Sequence, residues 1–412
     1  MTRTSLLLTS LWFAIPGCAV NEVITAEETE LIVAEAPPDE AMLLDIGIVE
    51  FSGALDTANN PEESGLYEEI RGAEVRYLPY HLKTTLQGTG HWGAVRVIPT
   101  PGAFTDVIIN GEIEQSDGEF ITLNITVDDS RGVHWYEKSY STQTGISSYS
   151  ANRDRRMDPY QKVFNDIAND LREFAAALPP KSVREVRQVT ELKFFADMSP
   201  NAYGEHLLAD EEGKYQILRL PAENDPSVDR LRQIRERDRL VVDTLNEHYA
   251  NFYYGIAIPY HSWRKTAREE SINYRQVKRS AALQTLMGAV VIAGALAADS
   301  NSSNYRHRRM QRSLQNIAIG EGFRSIMNGI SRRNEASMHR ESIKELSESF
   351  GAEAAPMVVT VEGETRRLTG TAAAQYESWR RLLREIYEAE TGFVETADAV
   401  DPDPVRIAEP TG

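Results

Sequence analysis

"TDVIINGEIEQSDGEFITLNITVDDSRGVHWYEKSY" spans residues 105–140 and decides the fold of the first half of the chain. Within it, "DVIINGEIEQ" and "FITLNITVDD" alternate apolar and polar residues, and "VHWYEKSYS" carries aromatic residues favoured in strands. Asp117-Gly118 and Ser130-Arg131-Gly132 separate the three runs and suit hairpin turns. The pattern predicts three consecutive antiparallel strands.

Working outward, "AVRVIP" just upstream reads as a further strand, and "LLDIGIVEFSG" (43–53) as a strand ending in Gly. Between them, "EEIRGAEVRYLPYHLKTTLQGTG" (68–90) has helical spacing through Ile70, Val75, Leu78, Leu82 and Leu86. Gly88 is its stop signal, and Pro79 weakens its middle. Downstream, "DPYQKVFNDIANDLREFAAAL" predicts a helix capped by Asp158 with Pro159 at its first position and Val163, Ile167, Leu171 and Phe174 on one face. Strand, helix, strand and antiparallel strands make 43–178 an α/β domain with a mixed or antiparallel sheet.

Pro179-Pro180 marks a boundary, and 181–392 reads as a mainly helical domain. A helix starting at Asp225-Pro226 aligns Leu231, Ile234, Val241, Leu245, Tyr249 and Phe252. Its "RLRQIRERDR" interleaves Asp229, Glu236 and Asp238 with arginines, which solvated ion pairs explain. A hairpin around Glu362-Gly363 and a helix from about Thr371 to Glu390 complete an α+β chain.

"AALQTLMGAVVIAGALAA" (281–298) has no charge and would make a helix about 27 Å long, the lower limit for spanning a bilayer. Two expectations follow. The segment is a packed core helix, or it contacts membrane or other copies through Leu283, Leu286, Gly288, Val290, Val291 and Gly294. "YRHRRMQR" (305–312) reads as a solvated basic helix start, with acidic partners or lipid phosphates as the alternative.

With 44 Lys and Arg against 62 Asp and Glu, the net charge is −18, which disfavours nucleic acid as a partner. "GTGHWG" (88–93) matches G-x-G-x-x-G but follows a helix and precedes a strand, the reverse of the phosphate-binding order. The eight histidines are scattered singly, so no metal site is expected. His134 reads as a strand residue, and Asp128-Asp129 as a surface turn. No nucleophile elbow, zinc helix or phosphate loop is present. No catalytic residue or cofactor is expected.

The chain starts with Arg3 and an apolar run from Leu6 to Ile15, the form of a secretory signal peptide, 1–17. It ends in Ile15-Pro16-Gly17-Cys18, with the only cysteine of the chain. This stretch resembles the lipobox of bacterial lipoproteins, with Pro16 where Ala or Ser is commoner. The resemblance implies cleavage before Cys18, acylation of that residue and attachment to lipid, and Ala19 implies the outer membrane. Residues 18–42 hold Pro37-Pro38 and seven acidic residues without a basic one, and read as an extended tether. The last residues, 393–412, read as a disordered acidic tail.

Residues 43–142, through "DIGIVEF" and the 105–140 stretch, resemble the periplasmic α/β domain of penicillin-binding-protein activator and curli-secretion lipoproteins. That likeness implies binding and building rather than catalysis. The expected function is an outer-membrane-anchored, periplasm-facing lipoprotein with a non-catalytic scaffold or regulatory role in envelope assembly. Membrane, envelope protein or peptidoglycan, and further copies of the chain are the expected partners. An envelope hydrolase with an acidic site, or an oligomeric pore or secretion accessory using 281–298, are the alternatives.

Overall fold

A computed structural model describes residues 28–53, 67–100, 104–150, 158–297, 337–348, 357–361, 364–391 and 406–407, with side chains of its longest helix described as far as residue 272. The fold is α+β. Its centre is a five-stranded mixed sheet of β1 (Ile46–Val49), β2 (Val95–Ile98), β3 (Val107–Ser116), β4 (Phe120–Asp129) and β5 (His134–Gln143). Spatial order is β2-β1-β3-β4-β5. β1 lies parallel to both neighbours, with Ile46 opposite Val95 and Val107, and β3, β4 and β5 run antiparallel.

The alternation in β4 does what period-two patterning dictates. Ile121, Leu123, Ile125 and Val127 are fully buried, while Thr122, Asn124 and Thr126 lie half-exposed on the other face. α1 (Glu68–Thr89) and α2 (Gln161–Ala177) pack together and bury Leu78, Leu82, Leu86, Val163, Ile167 and Leu171 in the same core. α1 runs through Pro79, which is itself buried between Leu78 and Tyr80. Its stop is Gly90, not Gly88: Gly90 adopts the left-handed conformation that closes the last turn, whereas Gly88 is still helical. α2 begins at Gln161, two residues after the expected Pro159 start. Asp158 Oδ1 accepts the Tyr160 N–H at 2.8 Å as a turn ahead of the helix.

α3 (Pro180–Met198) and the short α4 (Pro200–Tyr203) lead into a small sheet of β6 (Leu207–Ala209) and β7 (Tyr215–Ile217). α5 (Pro226–Ala297) is a single helix of 72 residues, where the sequence suggested one helix at its start and a separate one at 281–298. Pro259 removes one backbone donor, but Ile256, Tyr260 and Trp263 around it are buried, and that packing carries the helix through. Helical residues 337–348 (α6), the hairpin β8 (Met357–Val361) and β9 (Glu364–Leu368), and α7 (Ala372–Thr391) follow. β10 (Arg406–Ile407) pairs with β6 inside the segment read as a disordered tail; the rest of that tail lies outside the described residues.

One continuous stripe of α5 serves two cores. Leu231, Ile234, Val241 and Leu245 pack with Val189, Leu192 and Phe195 of α3 and Tyr376, Trp379 and Leu383 of α7. Further along, Tyr249, Phe252, Ile256, Tyr260 and Trp263 join the core of the five-stranded sheet.

The tether expectation is corrected over its described part. Residues 29–42 lie against the body. Asn165 Nδ2 donates to Thr29 O and Asn169 Nδ2 to Glu30 O, while Ile32 N donates to Asn169 Oδ1 and Ala34 N to Thr89 O. Leu31 packs on the core, and Arg187 of α3 donates to Glu40 O. Side-chain amides that satisfy the strap's backbone replace the water a free tether would use. Acidic composition does not report this contact.

Candidate functional site

The residues singled out from the sequence are Cys18 and six positions of the 281–298 run. Cys18 lies outside the described residues. Leu283, Leu286, Gly288, Val290, Val291 and Gly294 lie on the helical backbone of α5, and their side chains lie outside the described residues. Among the described residues, no helix is long and apolar enough to cross a membrane, and no cluster of His, Cys, Asp or Glu could hold a metal. What the structure does describe in detail is how the body grips α5.

The grip centres on a buried ion pair. Arg264 donates from Nη1 to Asp158 Oδ1 and from Nη2 to Asp158 Oδ2, both at 2.8 Å. The guanidinium also lies over the Tyr160 and Tyr260 rings, 4.9 and 4.3 Å from their centroids. Burial alone would raise the Asp158 carboxyl; Arg264 reverses that and holds it well below the usual carboxylate range. Asp158 therefore acts as the counter-ion of α5 as well as a turn residue before α2.

Polar partners extend from this pair. Glu74 of α1, 1% exposed, accepts from Tyr260 of α5 at 2.6 Å and from Ser116 of β3. Burial raises its carboxyl against the opposing pull of Arg71 and these hydroxyls. His81 of α1 meets Tyr253 of α5 through Nδ1 at 2.7 Å and Gln161 Oε1 through Nε2 at 2.9 Å. Gln161 turns its amide nitrogen to Thr85 and Asn165, so its oxygen faces His81. The network then assigns Nε2–H as donor and Nδ1 as acceptor for the Tyr253 hydroxyl. Burial lowers the His81 pKa, despite Asp158 and Gln161, which keeps the ring neutral.

The β2 edge of the sheet is closed by α5 too. Asn246 Oδ1 accepts Val97 N–H at 2.8 Å, and Asn246 Nδ2 donates to Val97 O at 2.9 Å. One side-chain amide thus stands where a further strand would pair. Arg239 reaches Asp45 at the mouth of β1, at 3.1 Å.

Two surface expectations are corrected. Asp238 is 5% exposed rather than solvated: it accepts from the Tyr376 hydroxyl, and burial raises its carboxyl against the charge of Arg380. It falls four residues after Ile234 and three before Val241, on the packed stripe. Asp129 is likewise buried. It accepts from Trp135 Nε1 at 3.0 Å and from Arg131 Nη2 at 2.6 Å, and so organises the β4–β5 hairpin. His134 sits on β5, 2.9 Å from Asp128.

No family model matches the chain, and none of the curated proteins matches it. Among solved structures, a dodecamer of a PelC variant from Paraburkholderia phytofirmans is similar at 17% identity and a TM-score of 0.21, over 37% of this chain and 97% of that one. Neither fold nor function is carried over from it.

Beyond the last described body contacts, Arg268 to Thr144 O and Ser271 to Glu119, α5 continues to Ala297. At 1.5 Å per residue that is about 39 Å of helix, and residues 281–297 of the charge-free run occupy its far end.

Proposed function

We propose that this protein is a lipoprotein of the bacterial outer membrane, anchored through acylated Cys18 and facing the periplasm, with a non-catalytic scaffold role in envelope assembly. The observation that supports this best is the continuity of α5: one helix gripped by both cores extends to the apolar 281–298 run. A rigid element clamped at one end and apolar at the other suits a protein that holds partners in place. The strap adds to this reading. With Thr29 already hydrogen-bonded to α2, only residues 19–28 separate the body from Cys18, a reach of about 40 Å at most. The buried charges nearest α5 are engaged in gripping it, which also fits a scaffold.

A second reading, an oligomeric secretion accessory or pore, is favoured by the same helix. Its small residues Gly288 and Gly294 would let copies approach closely. Fractionation and cross-linking test both. The full-length protein fractionates with membranes and Cys18→Ser moves to the soluble periplasmic fraction. A photo-cross-linker at Met287 then captures envelope protein if the scaffold reading holds, or a second copy of the chain if the oligomer reading holds. Cys18→Ser remaining with membranes, together with no capture at Met287, contradicts both.

A further inference from the structure

A cavity of 420 Å³ opens where the C-terminal end of α3, the first turn of α5 and the last turns of α7 meet. Its volume lies within the range of small-ligand sites, about 300–1,000 Å³. Its polar lining comprises Ser199, Asn201, Tyr203, His206, Asp225, Ser227, Tyr387 and Glu388. Lys and Arg are absent from the lining, so its charge is that of two carboxylates.

We propose that this cavity binds a small ligand through a primary ammonium, in the manner of an amino sugar. Three features carry the assignment. First, the carboxylates have capacity to accept. Asp225 Oδ1 accepts Ser227 N–H at 2.9 Å and Oδ2 faces the Tyr203 hydroxyl at 3.3 Å, leaving further lone pairs. Glu388, half-exposed, has no hydrogen-bond partner among the described residues. Second, the neutral groups are turned to accept as well. His206 Nδ1 donates to Arg219 O at 3.0 Å, which leaves Nε2 as an acceptor, and burial lowers the pKa of the ring. Third, two hydroxyls belong to buried wall residues and have no hydrogen-bond partner among the described residues: Ser199, 8% exposed, and Tyr387, 3% exposed. Both hydroxyls are open to the cavity, each free to donate to or accept from a bound molecule.

An ammonium supplies three donors and one positive charge, which this lining matches and an anion would not. Tyr203 and Tyr387 give the flat walls on which a sugar ring or an alkyl amine can lie. The inference goes beyond the scaffold reading and does not depend on the anchor, so either can fail alone.

The test is titration of the full-length protein in detergent with glucosamine, N-acetylglucosamine, glucose and 1,5-diaminopentane, followed by NMR or calorimetry. Glucosamine is expected to bind at least about tenfold more tightly than its two uncharged relatives, the scale of one charge-assisted bond. Competition by 1,5-diaminopentane as strong as glucosamine supports ammonium recognition and makes the source a linear amine rather than a sugar. Glu388→Gln, at a half-exposed position, is expected to weaken glucosamine about tenfold, and Tyr387→Phe to weaken it less, both with unchanged thermal midpoints. Equal binding of glucose and glucosamine, or no binding up to the order of 10 mM, overturns the proposal. So does full affinity in both variants.

Discussion

Asp158 and Arg264, 106 residues apart in the sequence, meet in the core through two parallel 2.8 Å hydrogen bonds, with Arg264 sandwiched near two tyrosine rings. This pair fastens α5 to the entrance of α2, and several expectations turn on it.

Removing one partner leaves the other charge buried and unmet. Asp158→Asn or Arg264→Met alone is expected to cost about 3–5 kcal/mol in chemical denaturation. The double variant costs less than the two added together, because neither charge is then stranded. Additive losses would show that the pair is not coupled.

Asn246 closes the β2 edge, so its loss exposes two backbone groups of Val97 to an apolar setting. Asn246→Leu is expected to destabilise by about 2–3 kcal/mol, with faster amide exchange at Val97 than in the unmodified protein. Unchanged exchange at Val97 would contradict that role.

Gly118 sits in the β3–β4 turn at φ +86°, where a Cβ would run into the carbonyl oxygen of Arg264 on α5. Gly118→Ala is strained by its backbone and by that contact together. A loss of about 2–4 kcal/mol is expected, within the range for strain at a positive φ. A near-neutral effect in thermal melts would argue against this close approach.

Acid should loosen the grip on α5 in two windows. His81 is buried neutral with a pKa below the ordinary 6.5. The unfolded chain therefore takes up this proton more readily, and stability falls as pH drops below about 6.5. Asp158, with its carboxyl held low, adds stability above its ordinary 3.8 that is lost at lower pH. His81→Gln is expected to flatten the unfolding free energy between about pH 6.5 and 5 relative to the unmodified protein, since one titrating group is gone. Identical slopes would exclude His81 as a contributor.

The strap gives a local prediction. Asn169→Ala removes both bonds that hold Glu30 and Ile32 on α2. Proteolysis within residues 28–35 is expected to accelerate several-fold while the global unfolding midpoint stays put, as for a low-stability segment. A shift of the global midpoint would mean the strap is part of the main cooperative unit.

What could be read from the residues and what could not divides along physical lines. β3 and β4 were legible because each buries one face, so the alternation is written into consecutive residues such as Ile121, Leu123 and Ile125, and β5 was legible from its aromatic residues. The helical stripe from Leu231 to Phe252 was legible for the same reason. The partners of buried charges were not. Nothing near Asp158 announces Arg264, and an Asp-Pro pair resembles an ordinary helix start. Asp238 shows a missed local signal: its spacing from Ile234 and Val241 places it on the packed stripe, but the arginines around it suggested a wet surface. The cavity draws on residues from Ser199 to Glu388, and no local pattern joins segments that far apart.

The central claim is that lipid on Cys18 holds this body close to a membrane, and mass spectrometry of the N-terminal peptide from protein made in bacterial cells tests it most directly. The account predicts a mature chain beginning at Cys18 and carrying a diacylglyceryl group and an N-linked acyl chain. A mature chain with an unmodified Cys18, or one that begins beyond it, would contradict the account.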